Sequence, residues 1–319
     1  MELEQVKSRF WATMYGEAIG DALGVGTEFM SKEEVMRVYP YGLSHYSQIN
    51  GCHHRIEQGD WSDDTDMMLC LAQAIIDDGG AVNEYTIARK FREWAGSQRA
   101  VGCIGNLTYS IVFSPGYVRN PVPTAREVWE EGGRDNAPNG GLMRTSVMGL
   151  LGGSDADIAR NAEAACRVTH YDSRCVGSCG IAREIIHHLV WNGKELSKDD
   201  ILTIAGNYDE RIAHFVELAA NPDIAALKLG AGRGIGYTLK CLSAMLWAYF
   251  NVERFERGLL EIVNEGGDAD TNAASACAVM GAKFGLEGIP GHYIQKLCNK
   301  DKFDLLVQQL WTVVNAQAD

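Results

Sequence analysis

Apolar residues recur at helical spacing through nearly the whole chain, and alternating strand-like runs are almost absent. Phe10, Met14, Ala18 and Leu23 form one stripe, and Met67, Met68, Leu71, Ala74 and Ile75 form another that Gly79-Gly80 closes. Residues 181–191, 209–220, 237–250, 253–263, 271–284 and 303–314 read as helices in the same way. Ser31-x-x-Glu34, Thr124-x-x-Glu127 after Pro123, and Ser197-x-x-Asp200 have the spacing of helix starts. The expectation is an all-α fold of on the order of a dozen or more helices joined by Gly-rich turns. No linker, composition break or solenoid-length repeat divides the chain, so residues 1–319 read as a single domain. The longest non-helical stretches, 39–61, 113–123 and 132–141, are candidates for function, because long loops in a compact domain tend to carry it.

Charge narrows the partners. Lys plus Arg number 29 and Asp plus Glu number 42, for a formal net charge of −13. That balance argues against general nucleic-acid or anionic-membrane binding, though it leaves room for a local anion site. No run of 18 apolar residues predicts a membrane span, and the charged start Met1-Glu-Leu-Glu-Gln-Val-Lys is unlike a signal peptide. The nine cysteines, including Cys52, are an odd number without a CxxC pair. They read as buried free thiols in a reducing cytoplasm. Cys175 and Cys179, four apart with His170 and Asp172 nearby, form a soft-ligand zinc alternative.

Two acidic clusters exceed what helix capping needs. Asp60-Trp61-Ser62-Asp63-Asp64-Thr65-Asp66 enters the helix of Met67, and Gly266-Gly267-Asp268-Ala269-Asp270-Thr271 opens an Ala-rich helix. One or two carboxylates at a helix start are favoured by the dipole. Four in seven residues are not explained that way. Carboxylates with adjacent hydroxyls suit hard cations such as Mg²⁺, Mn²⁺ or Ca²⁺. If Asp63, Asp64, Asp268 and Asp270 meet, their repulsion calls for proton uptake or for two divalent ions.

Smaller signals accompany these. Gly16, Gly20 and Gly24 recur every four residues, a pattern of close helix packing for the first two. Glu28 follows the glycines, as a loop acid or a carboxylate poised over a site. Gly105-Asn106 and Asn139-Gly140-Gly141-Leu142-Met143-Arg144 put glycines before apolar helices, where backbone N–H groups can meet phosphate. His170 stands at an expected helix start as a cap, core group or site residue. Tyr237 after Gly234 and Gly236 is a core ring or a stacking partner for a base or ribose.

In this order, over residues 12–297, the motifs resemble those of the ADP-ribosylglycohydrolases. Gly20-Asp21-Ala22-Leu23-Gly24 with Glu28 resembles the first motif, and Ser62-Asp63-Asp64-Thr65 the family's Thr-Asp-Asp-Thr. Gly105-Asn106, Asn139 to Arg144 and Thr169-His170 fit the middle motifs, and Gly266 to Thr271 the last. The resemblance implies a compact orthogonal multi-helix bundle and two Mg²⁺ ions, with Mn²⁺ an option. It assigns Ser62, Asp63, Asp64, Asp268, Asp270 and Thr271 as metal ligands and Glu28 as the acid near the reacting ribose. Asn106, Asn139, Gly140, Gly141, Leu142, His170 and Tyr237 fall at positions that shape the ADP-ribose pocket.

The implied activity is hydrolysis of the C1″ bond of an ADP-ribosyl adduct on an arginine or serine side chain, by a monomer. Water would attack an oxocarbenium-like centre after losing a proton toward Asp63 or Asp270, with Glu28 positioning it or assisting the leaving group. Two departures stand out. Ser62 replaces the family's Thr, and Cys103 stands where arginine-directed members commonly carry an acid. A thiol cannot pair with a guanidinium, which leaves Glu57 or Asp60 for that task. Hydrolysis of O-acetyl-ADP-ribose or another small adduct, an ADP-ribose-binding pseudoenzyme, and a two-metal phosphohydrolase are the rival readings.

Overall fold

In the computed structural model, residues 1–50, 57–153, 155–231 and 234–316 are described. Sixteen α-helices and several short 3-10 turns build the described part, with no strand and a single isolated bridge between Pro138 and Tyr237. One connected apolar core runs from Val6 to Val314. No described helix is long and apolar enough to cross a membrane.

The centre is the crossing of two helices, Leu3–Gly24 and Ala269–Phe284. The first from Ala12 onward, and the second nearly throughout, are buried all round, so neither needs a polar face there. Small residues set their separation. A Cβ at Gly16 would lie 2.1 Å from the Cys277 carbonyl oxygen, and one at Gly20 2.2 Å from that of Ala273. At Gly24 it would lie 2.4 Å from Cα of Asp270. In return, a Cβ at Gly281 would lie 2.0 Å from the Ala12 carbonyl oxygen. The packing expected of Gly16 and Gly20 therefore extends a further turn, to the acid-bearing start of the partner helix. Helices Thr238–Asn251 and Phe255–Val263 pack on the same Ala-rich helix.

Local signals worked where the backbone decides alone. Ser31 with Glu34 and Ser197 with Asp200 form reciprocal capping boxes. Gly79 and Gly80, at φ +63° and +97°, close the helix Asp63–Asp77. Two expected starts are displaced. The helix expected at Thr124 is Pro121–Glu131, because Pro121 at its first position has no N–H to leave unsatisfied. The helix expected near His170 is Ser173–His187. Asp172 caps it by accepting from the Arg174 N–H at 3.0 Å, which leaves His170 in the turn before it. The eight described cysteines are free thiols, five of them buried; Cys70, Cys103 and Cys298 are half-buried, and Cys52 lies outside the described residues.

Candidate active site

The helix crossing delivers Asp21 to the start of a third helix. Its Oδ1 accepts from the Ser62 N–H at 2.9 Å, and its Oδ2 accepts from the Thr65 N–H at 2.9 Å and the Thr65 hydroxyl at 2.6 Å. These N–H groups belong to the otherwise unsatisfied first turn of the helix Asp63–Asp77, so a buried acid from another helix caps it. The helix then presents Asp63 and Asp64 at its entrance. The Ser62 hydroxyl donates to Asp64 Oδ2 at 2.8 Å.

A second loop brings Glu28. Gly266 and Gly267 sit at φ +72° and +71°, and a Cβ on Gly267 would lie 2.2 Å from the Leu229 carbonyl oxygen. Only glycine fits both demands. The Gly267 N–H donates to the Met30 carbonyl at 2.8 Å, and the Gly267 carbonyl accepts from the Phe29 N–H at 2.6 Å. That exchange ties the Glu28 loop to Asp268. Phe29 itself adopts φ +59° and remains 53% exposed, a non-glycine residue held in a sparsely populated conformation beside the site.

Glu28, Asp63, Asp64, Asp268, Asp270 and Thr271 line one cavity of about 480 Å³, together with Asn106, Asn139, Gly140 and His170. Oxygens of Asp21, Asp64 and Asp270 lie within 4.8 Å of one another, and so do oxygens of Glu28, Asp268 and Asp270. Asp270 joins the two triads. Asn139 donates to Asp268 Oδ2 at 2.7 Å, while its own N–H is held by the Gly236 carbonyl at 2.9 Å.

Such a concentration of buried charge is unfavourable without a counter-charge. Burial pushes Asp21 up to about 6, against the pull of the Thr65 and Ser62 hydrogen bonds. Burial, then repulsion from Asp21, Asp63 and Asp268, pushes Asp64 well above the usual carboxylate range. Burial and the charges of Glu28 and Asp64 do the same to Asp270. Burial also raises Asp268, and the Asn139 hydrogen bond opposes it. Asp64 Oδ1 and Asp270 Oδ1 are buried without a hydrogen-bond donor. Orphaned carboxylate oxygens among converging acids are the donor set of a hard divalent cation, so these residues fit the expected metal chemistry.

The first acidic cluster divides in two. Asp63 and Asp64 face the cavity. Asp60 pairs with Arg99 at 2.6 Å; Asp66 accepts from Arg99 at 3.0 Å and from the indoles of Trp61 and Trp94 at 2.8 and 2.9 Å. Asp60 is thus already engaged with a guanidinium from this chain, and Glu57 is absent from the cavity lining while Cys103 is part of it. The zinc alternative finds no support among the described residues. Asp172 is held by Arg174 at 2.7 Å and by the Trp129 indole at 3.0 Å, and the Cys175 thiol donates to the Pro138 carbonyl at 3.3 Å.

Several residues expected in the pocket lie beside it. Leu142 is buried in the core, and Gly141 packs against Cys166 and His170. The Tyr237 ring sits between the Arg174 guanidinium, 5.6 Å away, and the Phe215 ring at 5.8 Å; its neighbours Ile235 and Gly236 line the cavity instead. Asp21 had no assigned role. Its signal in the sequence is an acid within a glycine-striped, otherwise apolar helix segment.

Comparison with known proteins identifies the family. A family model described as ADP-ribosylglycohydrolase matches residues 2–319. ADP-ribosyl-[dinitrogen reductase] glycohydrolase of Rhodospirillum rubrum is 29% identical over 92% of this chain and 91% of its own length. ADP-ribosylarginine hydrolase Tri1 of Serratia proteamaculans is 26% identical over 93% of this chain and 77% of its own, and ADP-ribosylhydrolase ARH3 of Danio rerio 25% over 95% and 90%. A solved structure described as an ADP-ribosylglycohydrolase-related protein complex shares the fold, with a TM-score of 0.71 at 23% identity, covering 98% of this chain and all of that one. The chain therefore belongs to the ADP-ribosylglycohydrolase family of glycosidic-bond hydrolases.

Proposed function

We propose that this chain hydrolyses the C1″ glycosidic bond of ADP-ribosylated substrates, adducts on arginine or serine side chains of proteins, and releases intact ADP-ribose. The observation that carries the proposal is the convergence of Glu28, Asp63, Asp64, Asp268 and Asp270 on one cavity, with orphaned buried oxygens on Asp64 and Asp270. About 480 Å³ falls within the range of small-molecule sites. Ser62, Asp63, Asp64, Asp268, Asp270 and Thr271 are the proposed ligands of two Mg²⁺ or Mn²⁺ ions. When bound, such ions supply positive charge that orients ribose hydroxyls and acidifies water.

The chain's own groups divide the remaining work. Asp63 or Asp270 takes the proton of the attacking water on a carboxylate oxygen. Glu28 positions that water or assists proton transfer to the departing group. Asn139 orients Asp268 through its amide. Asn106, Gly140 and His170 shape the ADP-ribose subsite from the cavity wall, with the diphosphate beside the Gly140-Gly141 backbone. Gly141 and Leu142 act from behind that wall, and Tyr237 bounds the adenine end through the Ile235-Gly236 turn. The free thiols support a reducing, cytoplasmic setting, and the working unit is proposed to be a monomer.

Cys103 on the cavity wall and the Asp60–Arg99 pair disfavour arginine-linked adducts within that reading, and they favour a second one, hydrolysis of O-acetyl-ADP-ribose or another small adduct. The deciding experiment is ADP-ribose release, followed by mass, from arginine-linked ADP-ribosylated protein with Mg²⁺ and then with EDTA. Metal-dependent release of intact ADP-ribose supports the first reading. Release only from serine-linked protein narrows the first reading to that linkage, and release only from O-acetyl-ADP-ribose supports the second. Release of AMP or phosphate would identify a phosphohydrolase, and binding of ADP-ribose without turnover of any adduct a pseudoenzyme.

A further inference from the structure

Behind the Gly140-Gly141 wall lies a fully buried arginine with no carboxylate partner among the described residues. Arg144 is 0% exposed. Its Nη2 donates to the Thr169 hydroxyl at 2.6 Å and lies 3.4 Å from the Ala165 carbonyl oxygen. Its Nη1 lies 3.8 Å from Met67 Sδ, and the guanidinium sits 4.4 Å from the centre of the Phe91 ring. A buried cation placed mainly against a hydroxyl, a sulfur and a ring is expensive, so a positioning task is a physical reason for keeping it.

The Thr169 oxygen also lies 2.8 Å from His170 Nδ1. An arginine only donates, so the Arg144 bond uses a lone pair of that oxygen and leaves the hydroxyl proton to be placed. The acceptor beside it is His170 Nδ1. Were Nδ1 protonated instead, it would donate to the oxygen's second lone pair, and the buried hydroxyl proton would lose this acceptor. The arrangement that satisfies all three groups puts the imidazole proton on Nε2. That edge of the ring meets the cavity wall: a Cβ on Gly140 would lie 3.0 Å from both Nε2 and Cε1. His170 is buried, and burial together with the Arg144 charge disfavours its cationic form.

We propose that Arg144 and Thr169 are positioning residues that hold His170 as a neutral imidazole protonated on Nε2. His170 then serves the cavity as a hydrogen-bond donor to an acceptor oxygen of the bound substrate, and not as a base. The identity of that substrate, an ADP-ribosyl group, rests on the function proposed above; the protonation pattern does not. His170 Nε2–H thereby adds a neutral donor to a cavity otherwise dominated by carboxylates, at the wall beside Gly140.

The test is nitrogen NMR of histidine-labelled protein, with the His170 signals identified by their loss in His170→Gln. Wild type and Thr169→Ser should both show a single neutral form with the proton on Nε2. Thr169→Val, which keeps the shape and deletes the hydroxyl, should shift His170 toward the Nδ1-protonated form or a mixture of the two. In metal-loaded protein, Thr169→Val and His170→Gln should each weaken ADP-ribose binding about tenfold, while Thr169→Ser stays near wild type. A wild-type His170 protonated on Nδ1, or an unchanged spectrum in folded Thr169→Val, overturns the positioning proposal. Unchanged ADP-ribose affinity in His170→Gln overturns the donor role. If wild type itself fails to bind ADP-ribose, the proposed function fails, and the NMR result still decides the protonation pattern.

Discussion

Gly24→Ala tests whether helix packing and site geometry are one problem. The new Cβ would stand 2.4 Å from Cα of Asp270, about 1 Å inside ordinary contact, against backbone that cannot rotate away. The two helices must separate there, and Asp270, the acid common to both triads, moves with its helix. Overpacking of this severity costs about 3 kcal/mol, and the better helix propensity of alanine returns about 1 kcal/mol. A net loss of about 2 kcal/mol should lower the melting temperature by roughly 4 °C in a chain of this size. A shift near 1 Å in a reacting constellation costs about a hundredfold in rate, so kcat/KM for ADP-ribose release should fall by that order. Gly20→Ala, one turn away and 2.2 Å from the Ala273 carbonyl oxygen, should lose comparable stability but less activity. Gly96→Ala is the control, since its nearest neighbours would be 3.6 Å away at φ −84°; it should stay within about 0.5 kcal/mol. The measurements are urea unfolding of all three variants and steady-state kinetics. A Gly24→Ala protein with wild-type stability and kcat/KM within twofold would refute the reasoning.

Other expectations concern the cations and the helix ends. Asp64→Ala and Asp270→Ala should abolish metal-dependent ADP-ribose release while circular dichroism stays native; full activity in either would reject the metal assignment. Thermal stabilisation by added Mg²⁺ should grow from pH 5 to pH 8. The folded carboxylates are raised, Asp21 to about 6 and Asp64 and Asp270 well above the usual carboxylate range, so protons occupy the site at low pH and the metal-free charged form becomes less stable as pH rises. Metal stabilisation that is flat or declining over that window would contradict the cluster's role. Ser197→Ala, at a capping box away from the cavity, should cost about 1 kcal/mol in urea unfolding and leave kcat unchanged.

How much of this was legible depends on the range of each interaction. The Ser31 and Ser197 boxes and the Gly79-Gly80 stop involve residues within one turn of one another, and the sequence shows them directly. Thr124 misled because an equally local signal, Pro121, competed for the same helix start. The two acidic clusters stood out by density alone. Density did not divide them: Asp66 meets the nearby Trp61 indole, but Arg99, which pairs with Asp60 and Asp66, and the Trp94 indole come from 28 to 39 residues along the chain. The cap supplied by Asp21 spans 41 residues to Ser62, and the Asn139–Asp268 bond spans 129. No spacing rule reaches such distances.

Helical period, glycine stripe, capping chemistry and an excess of hard oxygen ligands are thus written in the sequence, because each depends on neighbours a few residues apart. Family membership is legible as well, since the ordered motifs occupy nearly the whole chain. Tertiary structure alone decided that Asp21 joins the cluster, that Asp60 and Asp66 are neutralised elsewhere, and which groups surround the His170 ring. Those outcomes depend on contacts between elements brought together by burial, where removal from water makes each unpaired charge costly and each long-range partner decisive.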